Sequence, residues 1–120
     1  MEINHAFQKN VLVFRIIGDF DWSNVTRAGK YIMPFLDELD TVQALAFNLA
    51  EVQIIDSSGI GLLLEVAKTM QKSQIPVCIW GLNAKKQEQF QMMHMDRVFR
   101  IYANADEGLS LLQNTSSLIN

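Results

Sequence analysis

The sequence predicts a single α/β domain: a mostly parallel sheet with an antiparallel N-terminal edge and about four helices. Three observations carry this. Residues 44–49 are almost wholly apolar, the composition of a strand covered on both faces and therefore central in a sheet with helices packed against it. Strand-like apolar runs alternate with amphipathic stretches along the chain, the order that crossover connections produce. The 120 residues, 49% of them hydrophobic, suffice for one ordinary core without metal or disulfide support.

At the start of the chain Ile3, His5 and Phe7 alternate with polar residues, the pattern of a half-buried edge strand, and Lys9-Asn10 can turn it back. Residues 11–17 are apolar except for Arg15 and rich in branched and aromatic side chains, so they should pair with the first strand. Gly18-Asp19-Phe20-Asp21 is expected to break that run. Asp21 or Ser23 can then cap a helix carrying Val25, Ala28, Gly29, Ile32, Leu36 and Leu39 on one face. Pro34 lies inside that pattern; an interior proline costs about 3 kcal/mol, so the helix should kink or stop just before it.

The central strand at 44–49 is followed by residues 50–55, which lead to the turn Asp56-Ser57-Ser58. The next helix should bury Ile60, Leu63, Leu64, Ala67 and Met70, with Leu62 and Val66 widening the stripe. Gly61, Glu65, Lys68 and Lys72 should face solvent. Residues 75–80 form another strand with Pro76 near its start, where a missing donor is tolerated. Gly81-Leu82-Asn83 turns into a helix over 84–93 that carries Phe90 and Met93 inward. A short strand at 97–102 and a helix at 106–112, capped from Asn104 or Asp106, complete the domain. The domain is expected to occupy residues 1–113, and the polar residues 114–120 to form a flexible tail.

Composition removes several function classes. A net charge of −3 without a clustered Lys/Arg face argues against nucleic acid; Lys85-Lys86 is a short solvated pair. Cys78 stands alone, which fits a reduced cytoplasmic setting. Met-Glu-Ile-Asn-His at the start does not read as a signal peptide, and apolar runs fall far short of the ~20 residues that span a bilayer, so no membrane insertion is expected. A monomer is expected.

Function is expected at the turn from residue 56. Asp56, Ser57 and Ser58 can each cap the helix, but only one can be the N-cap, which leaves a polar side chain facing solvent at the positive end of the helix dipole. Gly59 and Gly61 make the first turn bare at roughly 1 kcal/mol each against alanine. Either something approaches that backbone closely, or the glycines relieve crowding within the domain.

Other candidates are weaker. Met92-Met93-His94-Met95 contains soft ligands, but adjacent helical residues point apart and cannot converge on one ion, so no metal site is expected. A serine hydrolase would need His5 or His94 as base beside Ser57, and the chain has no Gly-x-Ser-x-Gly elbow. It also has no Gly-x-x-x-x-Gly-Lys phosphate loop. No catalytic residue and no cofactor are therefore expected. Trp22 and Trp80 read as packing residues, and Trp22 equally as a partly exposed contact.

The turn Asp56-Ser57-Ser58-Gly59-Ile60-Gly61, preceded by Leu-Ala-Phe-Asn-Leu at 45–49 and by Gly18-Asp19-Phe20-Asp21, resembles the STAS domain of bacterial anti-sigma factor antagonists. That family has a strand ending in Asn-Leu, then Asp-Ser-Ser/Thr-Gly-Leu/Ile-Gly, and an earlier Gly-Glu-Leu-Asp. The resemblance covers roughly residues 3–113. Asp19 departs from the usual Glu, and Pro34 falls in a helix that the family runs unbroken.

The resemblance implies a phosphorylation switch rather than an enzyme. The serine directly after the Asp, here Ser57, is the one a partner kinase phosphorylates, and that kinase is often itself the anti-sigma factor. The unmodified protein binds the kinase and displaces its client, the phosphoprotein lets go, and a PP2C-like phosphatase resets the cycle. Ser58 ranks second as acceptor and first as a capping residue; Asp56 either orients the Ser57 hydroxyl or caps. Partner contacts are expected at Asp21, Asp56, Ser57, Ser58, Gly59, Gly61 and Glu65. The alternative is a STAS subunit of a larger assembly, a lipid-transport complex or a stress-signalling scaffold, that docks through the same turn.

Overall fold

The alternating start of the chain becomes β1 (Glu2–Gln8), which pairs antiparallel with β2 (Val11–Phe20) from Glu2↔Ile17 to Gln8↔Val11 around the turn at Lys9-Asn10. The structure is a computed structural model that describes residues 1–37 and 39–119, with side chains described as far as Leu112. β3 (Ala44–Ile55), β4 (Val77–Trp80) and β5 (Arg100–Tyr102) follow in parallel, giving one sheet of order β1-β2-β3-β4-β5. The helices are α1 (Val25–Ile32), α2 (Ser57–Lys72), α3 (Ala84–Met92) and α4 (Ala105–Ile119).

β3 is the middle strand, and its alternation sorts the two cores. Leu45, Phe47 and Leu49 join the large core that includes Ile32 of α1, Leu63 and Val66 of α2 and Phe90 of α3. Ala44 and Ala46 face the opposite side with Cys78, Trp80 and Leu112, where α4 covers the sheet. Both faces are thus closed, as the almost wholly apolar run requires.

Two strands are longer than the sequence pattern suggests. Gly18 does not end β2: at φ 98° it accommodates a bulge, with register shifts at Arg15/Ile17 and Gly18/Phe20, and the strand runs on to bury Phe20. Residues 50–55 are not a connection but the second half of β3, paired to that extension through Ile17↔Glu51, Gly18↔Val52 and Phe20↔Ile55. Since β4 reaches only Asn48↔Trp80 and β1 only Glu2↔Ile17, β2 and β3 project beyond the rest of the sheet as a two-stranded ribbon from Gly18 and Val52 onward.

Elsewhere the elements shift modestly. α1 stops at Ile32 and passes into a 3-10 turn, Met33–Asp37, so Pro34 ends the α-helix as its ring demands. Its N-cap is Asn24 rather than Asp21 or Ser23. Ile75 and Pro76 precede β4, although the Pro76 carbonyl still accepts from Leu45 N. A 3-10 turn, Met95–Arg97, takes the start of the strand expected at 97–102. Asn104 holds the first turn of α4 by accepting from Glu107 N at 2.9 Å, while the Glu107 carboxylate accepts from Ala103 N. α4 continues past Leu112 to Ile119; side chains from 113 onward, and with them the expected flexibility of 114–120, lie outside the described residues.

Candidate functional site

The projecting ribbon carries the turn. Ile55, buried beside Phe20, is followed by Asp56 in an extended conformation at φ −110°, ψ −175°, and α2 begins at Ser57. Asp56 is therefore the N-cap. Its Oδ1 accepts from Ser58 N at 2.9 Å and Gly59 N at 3.1 Å, and its Oδ2 accepts from Trp22 N at 3.0 Å. One carboxylate thus closes the start of α2 and holds the loop between β2 and α1. Burial pushes its pKa up, but the N–H groups of Gly59, Trp22 and Ser58 more than reverse this and hold it below the ordinary 3.8. This is the capping role; the carboxylate is engaged with backbone, not with the Ser57 hydroxyl.

Ser57 occupies the first helical position and is exposed; among the described residues its hydroxyl has no hydrogen-bond partner. Ser58, expected to cap, instead gives its N–H to Asp56 and sits half-buried at the second position. Of the three, only Asp56 precedes the helix and has the extended backbone typical of an N-cap; Ser57 and Ser58 already lie within α2.

The two glycines answer differently. Gly59 is buried, and a Cβ there would lie 2.3 Å from the Phe20 carbonyl oxygen and 3.1 Å from Ile55 Cγ1, so it relieves crowding and is withdrawn from the expected contact set. Gly61 is exposed, with nothing within 4 Å of a Cβ. Ser57, Gly61 and Glu65 recur every fourth residue and form an exposed stripe on α2. Leu64, expected in the core, is 38% exposed, because the buried arc of α2 centres on Gly59, Leu63, Val66 and Met70.

Asp21 is half-buried and shapes its own loop. Its Oδ1 accepts from Ser23 N at 3.1 Å and Ser23 Oγ at 2.6 Å, and its carbonyl accepts from Asn24 N and Val25 N. Asn24 Nδ2 donates to the Asp19 carbonyl at 2.9 Å. Inside this braced loop Trp22 is 75% exposed, and Ile54, two residues before the cap, is 55% exposed. Of the two readings the sequence left open for Trp22, packing or exposed contact, the structure shows the exposed one; Ile54 was not legible, because the Ile54-Ile55 pair reads alike until the register assigns Ile55 to the core.

The remaining candidates lie apart from the turn. His5 Nδ1 is 2.7 Å from the Tyr31 hydroxyl and its ring lies 4.3 Å from that of Phe35. His94 takes a left-handed conformation before the Met95–Arg97 turn; Met95 is buried while Met92 and Met93 are exposed. No group of three His, Cys, Asp or Glu side chains among the described residues could hold a metal ion. Burial raises the Cys78 thiol to about 11, partly opposed by Arg100, so it is a poor nucleophile at neutral pH. A cleft of about 710 Å³ lies along the later turns of α2 and includes Leu64, Lys68, Arg97 and Val98, but none of Asp56, Ser57 or Ser58. No helix among the described residues is long and apolar enough to cross a membrane.

Fold and turn together define a small α/β module that presents an exposed serine at a helix start, at the end of its central strand. The chain belongs to the STAS family, whose domain model matches residues 2–108. Three solved structures share the fold at low identity. TM1081 of Thermotoga maritima superposes with a TM-score of 0.84 at 18% identity, covering 92% of this chain and 94% of that one. A serine-to-glutamate variant of RsbS from Moorella thermoacetica gives 0.80 at 16%, covering 98% and 99%. SpoIIAA of Bacillus, an anti-sigma factor antagonist solved in unphosphorylated and phosphorylated forms, gives 0.70 at 16% for the unphosphorylated form, covering 90% and 94%.

Proposed function

We propose that this chain is a cytoplasmic anti-sigma factor antagonist that works by partner switching and is not itself an enzyme. Unphosphorylated, it binds an anti-sigma factor that is also a serine kinase and displaces that kinase's client. In the modification step the Ser57 oxygen attacks the γ-phosphorus of ATP on the kinase, the bond to ADP breaks, and the hydroxyl proton passes to a base of the kinase. ATP and magnesium belong to the kinase. A PP2C-like phosphatase restores the hydroxyl by hydrolysis with water, releasing inorganic phosphate.

The observation that carries this reading is the exposed, unpartnered Ser57 hydroxyl on a capped helix start. A phosphoserine brings about −1.5 to −2 charges, and the helix dipole favours negative charge at its N-terminus, so the fold tolerates it. The first-turn donors are largely committed, with Ser58 N and Gly59 N on the Asp56 carboxylate and Ile60 N on its carbonyl. The added charge is therefore displayed outward beside Asp56 rather than absorbed by the helix end. Against an acidic or apolar partner surface, about 3 kcal/mol of differential affinity changes binding more than a hundredfold.

Ser57→Ala and Ser57→Glu test this. The alanine variant should bind the kinase and accept no phosphate, and the glutamate variant should bind poorly; equal binding by both would remove the switch. Stable co-purification with a transporter-type ATPase, unaffected by either change, would mark a subunit of a larger assembly instead.

A further inference from the structure

The side chain of Trp22 is 75% exposed although its backbone is among the most braced on the surface. Its N–H is held by Asp56 Oδ2, the next three residues hang from Asp21, and Asn24 ties back to the Asp19 carbonyl. A large apolar side chain left in water forgoes its burial free energy, while a fixed backbone lowers the entropy lost when a partner covers that side chain. Aromatic residues held this way are the usual energetic centres of interfaces. Asp56, the residue before Ser57, ties the indole's loop directly to the start of α2. Ile54 lies on the same strand end, and Gly61, without a side chain, lies one turn further along α2.

We propose that Trp22 is the apolar anchor of the docking surface, seated in an apolar pocket of the serine kinase beside its phosphate-transfer cleft, and that Asp56 Oδ2 is the group that positions it. The inference rests on the function proposed above. It assigns the two carboxylate oxygens separate work: Oδ1 caps α2 and Oδ2 aims the anchor. It also gives the kinase two independent contacts, an apolar one at Trp22 and a hydroxyl at Ser57, so affinity and phosphoryl transfer can be altered separately.

Asp56→Asn separates them chemically. Asparagine caps as well as aspartate through its oxygen, so the bonds from Ser58 N and Gly59 N survive. Its other terminus is an N–H donor and cannot accept from Trp22 N. The test is steady-state phosphorylation, at saturating ATP, by the kinase that modifies this chain, using wild type, Trp22→Ala, Asp56→Asn and the double variant. Trp22→Ala should raise KM about tenfold or more, with kcat unchanged and melting temperature preserved. Asp56→Asn should raise KM in the same sense by a smaller factor. The double variant should match Trp22→Ala, because the anchor it would aim is gone.

Trp22→Ala with unaltered KM overturns the proposal while leaving the Ser57 switch intact. Asp56→Asn that lowers kcat without raising KM shows instead that Asp56 serves the transfer chemistry, and overturns its positioning role. Absence of any phosphorylation of Ser57 brings down this inference together with the proposed function.

Discussion

Trp80 ends β4 at 1% exposure, beneath α4 and so close to Gly108 that a Cβ there would fall 2.7 Å from the indole Cε3; Trp22, in the loop between β2 and α1, is 75% exposed. The two environments differ in what specifies them. Around Trp80 a strand's period of two decides which side is inside, a helix closes over it, and burial of apolar area supplies the driving force. Around Trp22 polar bonds from Asp21, Asn24 and Asp56 fix the backbone and leave the side chain outside. One region is built for stability, the other for presentation.

The sharpest way to break that comparison is to truncate both indoles. Trp80→Ala should cost about 4 kcal/mol of unfolding free energy by urea titration. Trp22→Ala should stay within about 0.5 kcal/mol of wild type, and a comparable loss at both positions would mean that Trp22 supports the fold. The two glycines of the turn sharpen it next. Gly59→Ala should destabilise by about 3 kcal/mol, since the new methyl meets the Phe20 backbone oxygen, which cannot move aside cheaply. Gly61→Ala should instead raise stability by about 0.5 to 1 kcal/mol, because the space is open and alanine is the better helix former. A smaller effect follows from the Asp56 carboxyl, held below 3.8 in the folded protein. A depressed folded value means that its contribution is full above the unfolded value and lost as pH falls through the folded one. The melting temperature of wild type should accordingly fall towards that of Asp56→Asn below pH 3.8, measured by thermal scans on both proteins. A constant difference across that range would contradict it.

Much of this was legible in the residues, for identifiable reasons. The almost wholly apolar run at 44–49 marked the central strand, and Pro34 marked the end of α1. The ribbon was missed because residues 50–55 mix polar and apolar side chains and Gly18 reads as a stop; only the pairing with β2 turns one into a strand and the other into a bulge. At the turn, three adjacent capping residues announced a helix start, but the choice among them depended on backbone angles, which assign Asp56. Leu64 was misplaced because a helix with apolar residues over a wide arc leaves its true inward direction to the sheet it packs on. Trp22 could be read either as packing or as an exposed contact beside Asp21, and the structure leaves it exposed; Ile54 had no pattern to place it, and the contact between Trp22 and Asp56 spans 34 positions of sequence.

The central claim concerns the exposed hydroxyl at the start of α2, and phosphosite mapping addresses it most directly. The protein would be incubated with its serine kinase and ATP, the modified residue located by mass spectrometry, and the complex followed in the same samples. The account expects a single phosphate on Ser57 and dissociation of the complex in step with its appearance. Phosphate on Ser58 instead, or a complex that persists when Ser57 is fully modified, would contradict it.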